Sequence, residues 1–218
     1  MTDPLTSARK GPKVASSAVI FLHGYGADGA DLLGLADPLA PHLPETAFFA
    51  PNAPEPCRNN PMGFQWFPIP WLDNSTEDEA RSSMVRSVGM LDDYIDGVLA
   101  SEQLTPDRLV LVGFSQGTMM ALHVAPRRPQ AVAGIVGFSG RLLSPETLEA
   151  EAQVKPPVLL IHGDQDQMVP FEDMGLAGNA LLSAGFTVYG HVMEGTGHGI
   201  APDGLSVALA FIRDHLPN

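Results

Sequence analysis

The residues best suited to covalent chemistry lie near the middle of the chain. Gly113-Phe114-Ser115-Gln116-Gly117 follows the apolar run RLVLVG at 108–113 and leads into TMMALHVA at 118–125. A strand, a turn carrying two glycines and a helix form the setting in which a serine occupies a tight elbow with its hydroxyl raised above a sheet. The glycines remove Cβ atoms where strand and helix crowd, so Ser115 can hold a strained turn. The helix start next to it favours negative charge developing on a reacting oxygen.

A serine hydroxyl becomes a nucleophile when a base takes its proton, and on this scaffold the expected order is Ser, acid, His. Of the seven histidines, His23 and His42 precede the elbow and His123 precedes any downstream acid. His162 ends a predicted strand ahead of the candidate acids, His191 lies within another strand, and His215 lies in the last helix. His198, in Glu194-Gly195-Thr196-Gly197-His198-Gly199, sits in a loop at the carboxyl end of a strand, where the base is needed. The acid belongs in His162-Gly163-Asp164-Gln165-Asp166, and spacing leaves Asp164 and Asp166 both open. A metal at His162, Asp164 and Asp166 would need further ligands that the sequence does not place, so neither metal nor cofactor is expected.

Two N–H donors must hold the oxyanion of a tetrahedral intermediate. Gln116, directly after the serine, supplies one. The other belongs to the HG-rich loop Leu22-His23-Gly24-Tyr25-Gly26 after the first long strand. The same loop fits G-x-G-x-x-G at 24–29 (GYGADG), which raises a nucleotide-binding alternative. That alternative wants an acidic residue at the end of the next strand, where Pro51-Asn52 stands instead.

The elements that position these groups follow from the hydrophobic pattern. Short apolar runs at 18–22, 46–50, 108–113, 132–138 and 158–162, with a more polar one at 187–192, read as strands. Helical patterns fill 31–40, 77–100, 116–125, 172–184 and 203–215, and Thr76 with Glu79 resembles a capping box. This alternation predicts an α/β fold, a mainly parallel central sheet with helices on both faces and no large cap domain, as one domain over 1–218. Ligands in such sheets sit at the carboxyl ends of the strands.

The chain has 218 residues and a formal charge of −13, which disfavours nucleic acid and stable membrane association. The lone Cys57 excludes an intramolecular disulfide. Residues 1–14 hold no apolar run of signal-peptide type, so a cytoplasmic protein, monomer or homodimer, is expected.

With these residues in place the chain resembles the bacterial carboxylesterase and acyl-protein thioesterase branch of the α/β-hydrolases. The likeness runs from FLHGYGADGADL through PNAP, Trp66-Phe67, VGFSQG and HGDQDQMVP to GTGH. It implies Ser115 as nucleophile, His198 as base, Asp166 as acid, and the amides of Leu22 and Gln116 as oxyanion donors. It implies hydrolysis of small to medium-chain carboxylic esters, with acyl-protein thioesters or lysophospholipids as alternative substrates. The chain departs from the family pattern at Pro68, where an acidic residue often follows the WF pair, and at Thr118, where a second glycine often stands. Its stretch 69–75 is also longer than usual.

Residues 51–75 form the one long irregular stretch, and it carries both tryptophans. Met62, Phe64, Trp66, Phe67 and Trp71 are its candidate substrate contacts, joined by Met168 after the acid loop. A segment of this kind either packs its aromatics on the core as a flap or lines an apolar slot with them.

Overall fold

The computed structural model describes residues 5–216, so the ends of the predicted domain, including the first residues of the stretch read for a leader, lie outside it. The strands in chain order are β1 (Ser7–Lys10), β2 (Ser17–Leu22), β3 (Thr46–Pro51), β4 (Glu55–Pro56), β5 (Phe64–Gln65), β6 (Leu109–Phe114), β7 (Gly134–Phe138), β8 (Val158–Gly163) and β9 (Val188–Met193). The helices are α1 (Gly29–Leu33), α2 (Ala36–Leu39), α3 (Pro70–Asp73), α4 (Glu77–Glu102), α5 (Gln116–Val124), α6 (Pro145–Glu151), α7 (Glu172–Ser183) and α8 (Pro202–His215).

Seven strands form one sheet in the order β1-β3-β2-β6-β7-β8-β9, parallel throughout except for β1, which runs antiparallel to β3. β2, β3, β6, β7 and β8 are buried on both faces, as the continuous apolar runs predict. Alternate residues feed two cores. Ala18, Ile20 and Leu22 of β2 pack with Leu91 and Ile95 of α4, Met120 of α5 and Leu181 of α7 on one face. Val19 and Phe21 face the other way, with Leu32, Leu39 and Ile212 of α1, α2 and α8. The predicted α/β-hydrolase architecture is therefore present, with helices on both faces.

The predicted helix at 31–40 is instead α1, α2 and a 3₁₀ turn, Ala40–His42. Pro38 and Pro41 each remove a donor from the ladder, and Gly34 lowers the cost of breaking it. β1 escapes the pattern search because every one of its residues is exposed. Its Arg9 and Lys10 pair with Glu102 and Asp37, and charge of this kind blunts a sheet edge. The capping box at Thr76 and Glu79 is present in full and opens the long helix α4.

Candidate active site

Ser115 lies between β6 and α5 with φ 54 and ψ −116, a conformation that L-residues rarely adopt. Its neighbours enforce that bend. A Cβ on Gly113 would lie 2.3 Å from the Thr118 nitrogen, and one on Gly117 would lie 1.8 Å from the Leu22 oxygen. The Ser115 amide donates to the Phe138 carbonyl at 2.9 Å, tying the elbow to the next strand. Thr118 is accommodated by glycines opposite. Cβ atoms on Gly137 and Gly140 would fall 2.6 and 2.4 Å from its side chain, and its hydroxyl donates to Phe138 O at 2.8 Å.

His198 and Asp166 meet across two different loops. His198 Nδ1 is 2.8 Å from Asp166 Oδ2, and the ring tilts against Phe114 with centroids 4.8 Å apart. Asp166 Oδ1 accepts from the Met168 and Val169 amides at 2.9 and 3.0 Å. Burial opposes its ionisation, but the bond from His198 and the two amides outweigh burial and hold the carboxyl below its ordinary range. A second imidazole, His162, stands 3.4 Å from Asp166 Oδ2 and is bound to the Val169 carbonyl at 3.0 Å.

The choice between the two aspartates is visible here. Asp164 Oδ1 accepts from the Gly195 amide at 2.7 Å, so this carboxylate pins the loop that carries His198. The Gln165 amide adds a bond to Thr196 O at 2.9 Å. Asp164 and Asp166 thus serve different partners, and among the described residues no cluster of three His, Cys, Asp or Glu could hold a metal.

Leu22 does not face the site. It is a residue of β2 paired with Gly113 and fully buried, with its carbonyl beneath Gly117. The backbone that approaches the serine comes two and three residues later. A Cβ on Gly24 would lie 3.2 Å from Ser115 Cβ, and both Gly24 and Tyr25 line the cleft. Leu22, the expected donor, is therefore held in β2 away from Ser115, and the loop at Gly24-Tyr25 reaches the serine instead, because β2 runs on through Leu22 before the chain turns.

His23 fixes that loop from below. Its Nε2 accepts from the Ala53 amide at 2.9 Å, which makes Nδ1 the donor to Gly24 O at 2.7 Å. Burial pushes its pKa down, so the neutral tautomer persists. The loop is not arranged for a nucleotide. Asp28 caps α1 with its own carboxylate, and the Gly29 amide donates to Asn52, leaving anionic charge where a pyrophosphate would sit.

Ser115, Gln116 and His198 open into a cleft of about 590 Å³. Of the candidate substrate contacts, Phe67, Trp71 and Met168 line it. Met62, Phe64 and Trp66 do not. Met62 is 84% exposed away from the cleft, and Phe64 packs on the core while its backbone exchanges hydrogen bonds with Gly26 and Ala27. Trp66 is fully buried, and its indole donates to His23 O at 2.9 Å. Further apolar lining includes Ile69, Leu72, Met84, Met119 and Leu143, of which Met84 reads in sequence only as part of a helix face.

The model of the Phospholipase/Carboxylesterase family matches residues 7–216. Among curated proteins, the chain is 36% identical to acyl-protein thioesterase 1 of Schizosaccharomyces pombe, over 78% of each chain. It is 28% identical to esterase YpfH of Escherichia coli, covering 94% of this chain and 85% of that one. Among solved structures, that of esterase PE8 superposes with a TM-score of 0.92 at 41% identity, covering 98% of this chain and all of that one. With a serine elbow, a histidine–aspartate pair and an apolar cleft assembled at the strand ends of an α/β-hydrolase fold, the chain belongs to the phospholipase/carboxylesterase family and is a carboxylic ester hydrolase.

Proposed function

We propose that the protein cleaves small to medium-chain carboxylic esters through an acyl-enzyme on Ser115. The observation that carries this reading is the His198–Asp166 contact of 2.8 Å at the rim of the cleft into which Ser115 opens. Asp166 holds Nδ1 protonated, which leaves His198 Nε2 to take the serine proton as the hydroxyl attacks the ester carbonyl. The amides of Gln116 and Tyr25 stabilise the oxyanion, aided by the N-terminus of α5. The imidazolium then protonates the leaving alcohol. Water, deprotonated by the same nitrogen, attacks the acyl-enzyme and releases the acid.

The wall of Phe67, Ile69, Trp71, Leu72, Met84 and Met168 suits an acyl or alcohol chain. The −13 charge favours neutral esters over anionic lipid surfaces. Among the described residues no helix is long and apolar enough to cross a membrane. We place the protein in the cytoplasm, consistent with its single, buried, unpaired Cys57. Thioester cleavage is the second reading, favoured by the thioesterase named above.

The test is a panel of matched oxygen esters and thioesters of graded chain length, with Ser115→Ala as control. Ester turnover that vanishes in the variant supports the reading, and a thioester preference throughout would replace ester by thioester as substrate. Undiminished turnover in Ser115→Ala would overturn the mechanism.

A further inference from the structure

The Tyr25 side chain leaves the cleft loop and ends on the segment opposite. Its hydroxyl donates to Asp73 Oδ2 at 2.9 Å, and the Cys57 thiol is its other polar neighbour. Asp73 is also the organising residue of the segment 69–75. Its Oδ2 accepts from the Ile69 amide at 2.9 Å, its Oδ1 accepts from the Ser75 amide at 3.0 Å, and its own amide donates to Ile69 O at 2.9 Å. These bonds close the short helix α3 on itself, so Ile69, Trp71 and Leu72 present one wall to the cleft. Burial opposes ionisation of Asp73, but the Ser75, Ile69 and Tyr25 bonds prevail and keep its carboxyl below the ordinary range.

One residue therefore joins two functions. The Tyr25 backbone lies on the loop against Ser115, and its phenol reaches the carboxylate that shapes the substrate wall. Neither Asp73 nor Cys57 lines the cleft, so the contact acts through Tyr25 and α3 rather than on substrate. We propose that the Tyr25–Asp73 hydrogen bond is a strut that makes both side chains positioning residues, so that the oxyanion loop and the substrate wall at 69–72 are ordered together. This inference rests on the serine-hydrolase reading for its catalytic consequence, and on geometry alone for its structural one.

Tyr25→Phe removes the hydroxyl and keeps the ring, and Asp73→Asn removes the charge and keeps the shape. Two readouts on the full chain separate the strut from the hydrolase reading. In hydrogen exchange, each variant is expected to speed exchange in both 24–27 and 69–75, by about tenfold or more, as loss of a bond to an ionised group implies. In ester kinetics, kcat is expected to fall about tenfold for short and long acyl chains alike, as misplacement of a reacting geometry implies. KM should rise only for the longer chains, which need the wall.

The double variant should be no worse than the poorer single one, because both remove the same link. Exchange that quickens only in the segment carrying the substitution, or additive losses in the double variant, would overturn the strut. Unchanged kcat in well-folded single variants would overturn its catalytic role. If the parent and Ser115→Ala turned over esters equally, the reading of Ser115 as nucleophile would fail, and the exchange result would still decide the strut.

Discussion

The wall of the cleft made by the strand ends is set by backbone pairing. The wall made by 67–72 is held by side chains that reach it from elsewhere. On the first wall, Ser115 follows β6 directly and His198 follows β9 by five residues, with Asp166 behind His198 and three residues after β8, and the parallel ladders fix where those loops begin. On the second, the Gln116 side chain accepts from the Trp66 amide at 3.1 Å and donates to Phe67 O at 2.7 Å. Asn59 donates to Leu72 O at 2.9 Å, and Asp73 gathers Ile69, Ser75 and Tyr25. The groups proposed to carry the chemistry thus follow paired strands closely, and the proposed substrate wall lies on a part whose shape depends on a few polar bonds.

The sharpest test of the first wall is Asp166→Asn. It should leave the sheet folded and lower kcat by about 10⁴, because an amide no longer holds the productive His198 tautomer. Stopped-flow turnover of an activated ester checks it, and loss of folding in circular dichroism would show that Asp166 is chiefly structural.

The second wall divides at its two tryptophans. Trp66→Ala should destabilise the protein by about 3–5 kcal/mol, since it empties a fully buried site and orphans His23 O. Trp71 is 71% exposed and lines the cleft, so Trp71→Ala should change stability by no more than about 0.5 kcal/mol while raising KM for bulky esters. Urea unfolding beside a chain-length series measures both, and equal stability losses would erase the distinction.

Gln116→Ala should cost about 1–3 kcal/mol, because the backbone of Trp66 and Phe67 loses both partners. The loss should come with faster hydrogen exchange at 66–72 and none at β6. Exchange that rises in both would place the side chain in the frame instead of the flap.

The smallest effect lies away from both walls and serves as their reference. His123, with Nδ1 unpartnered and Arg127 beside it, has its pKa pushed down to about 4, first by burial and then by that charge. An unfolded histidine titrates near 6.5, so between pH 6.5 and about 4 the unfolded chain binds the extra proton. Stability contributed here is complete above that window and is lost as pH falls through it. His123→Leu should flatten the acid side of a melting-temperature profile without altering ester turnover at neutral pH, and an unchanged profile would contradict the shift.

What sequence revealed divides along the same line. The places of Ser115 and His198 after strands β6 and β9 are legible because the proposed chemistry demands particular residue types at strand ends, and glycines mark those turns. Asp164 and Asp166 share one loop, and only the direction of each carboxylate, toward Gly195 or His198, tells them apart without appeal to family resemblance. The family resemblance implies Leu22 as the donor opposite Gln116, whereas β2 stays paired through Leu22 and the chain reaches Ser115 only at Gly24 and Tyr25, a turn point that hydrophobicity does not show. Trp66 and Trp71 look alike in an aperiodic stretch, since Trp66 is held by His23, 43 residues away in sequence, and Trp71 sits in the four-residue helix α3, too short to show a period.

The proposed mechanism turns on a covalent intermediate on Ser115. Acid-quenching the protein during turnover of an activated short-chain ester, then mapping peptides by mass spectrometry, should find one acyl group on Ser115, absent in Ser115→Ala. An acyl group on another residue, or full turnover by Ser115→Ala with no adduct, would contradict it.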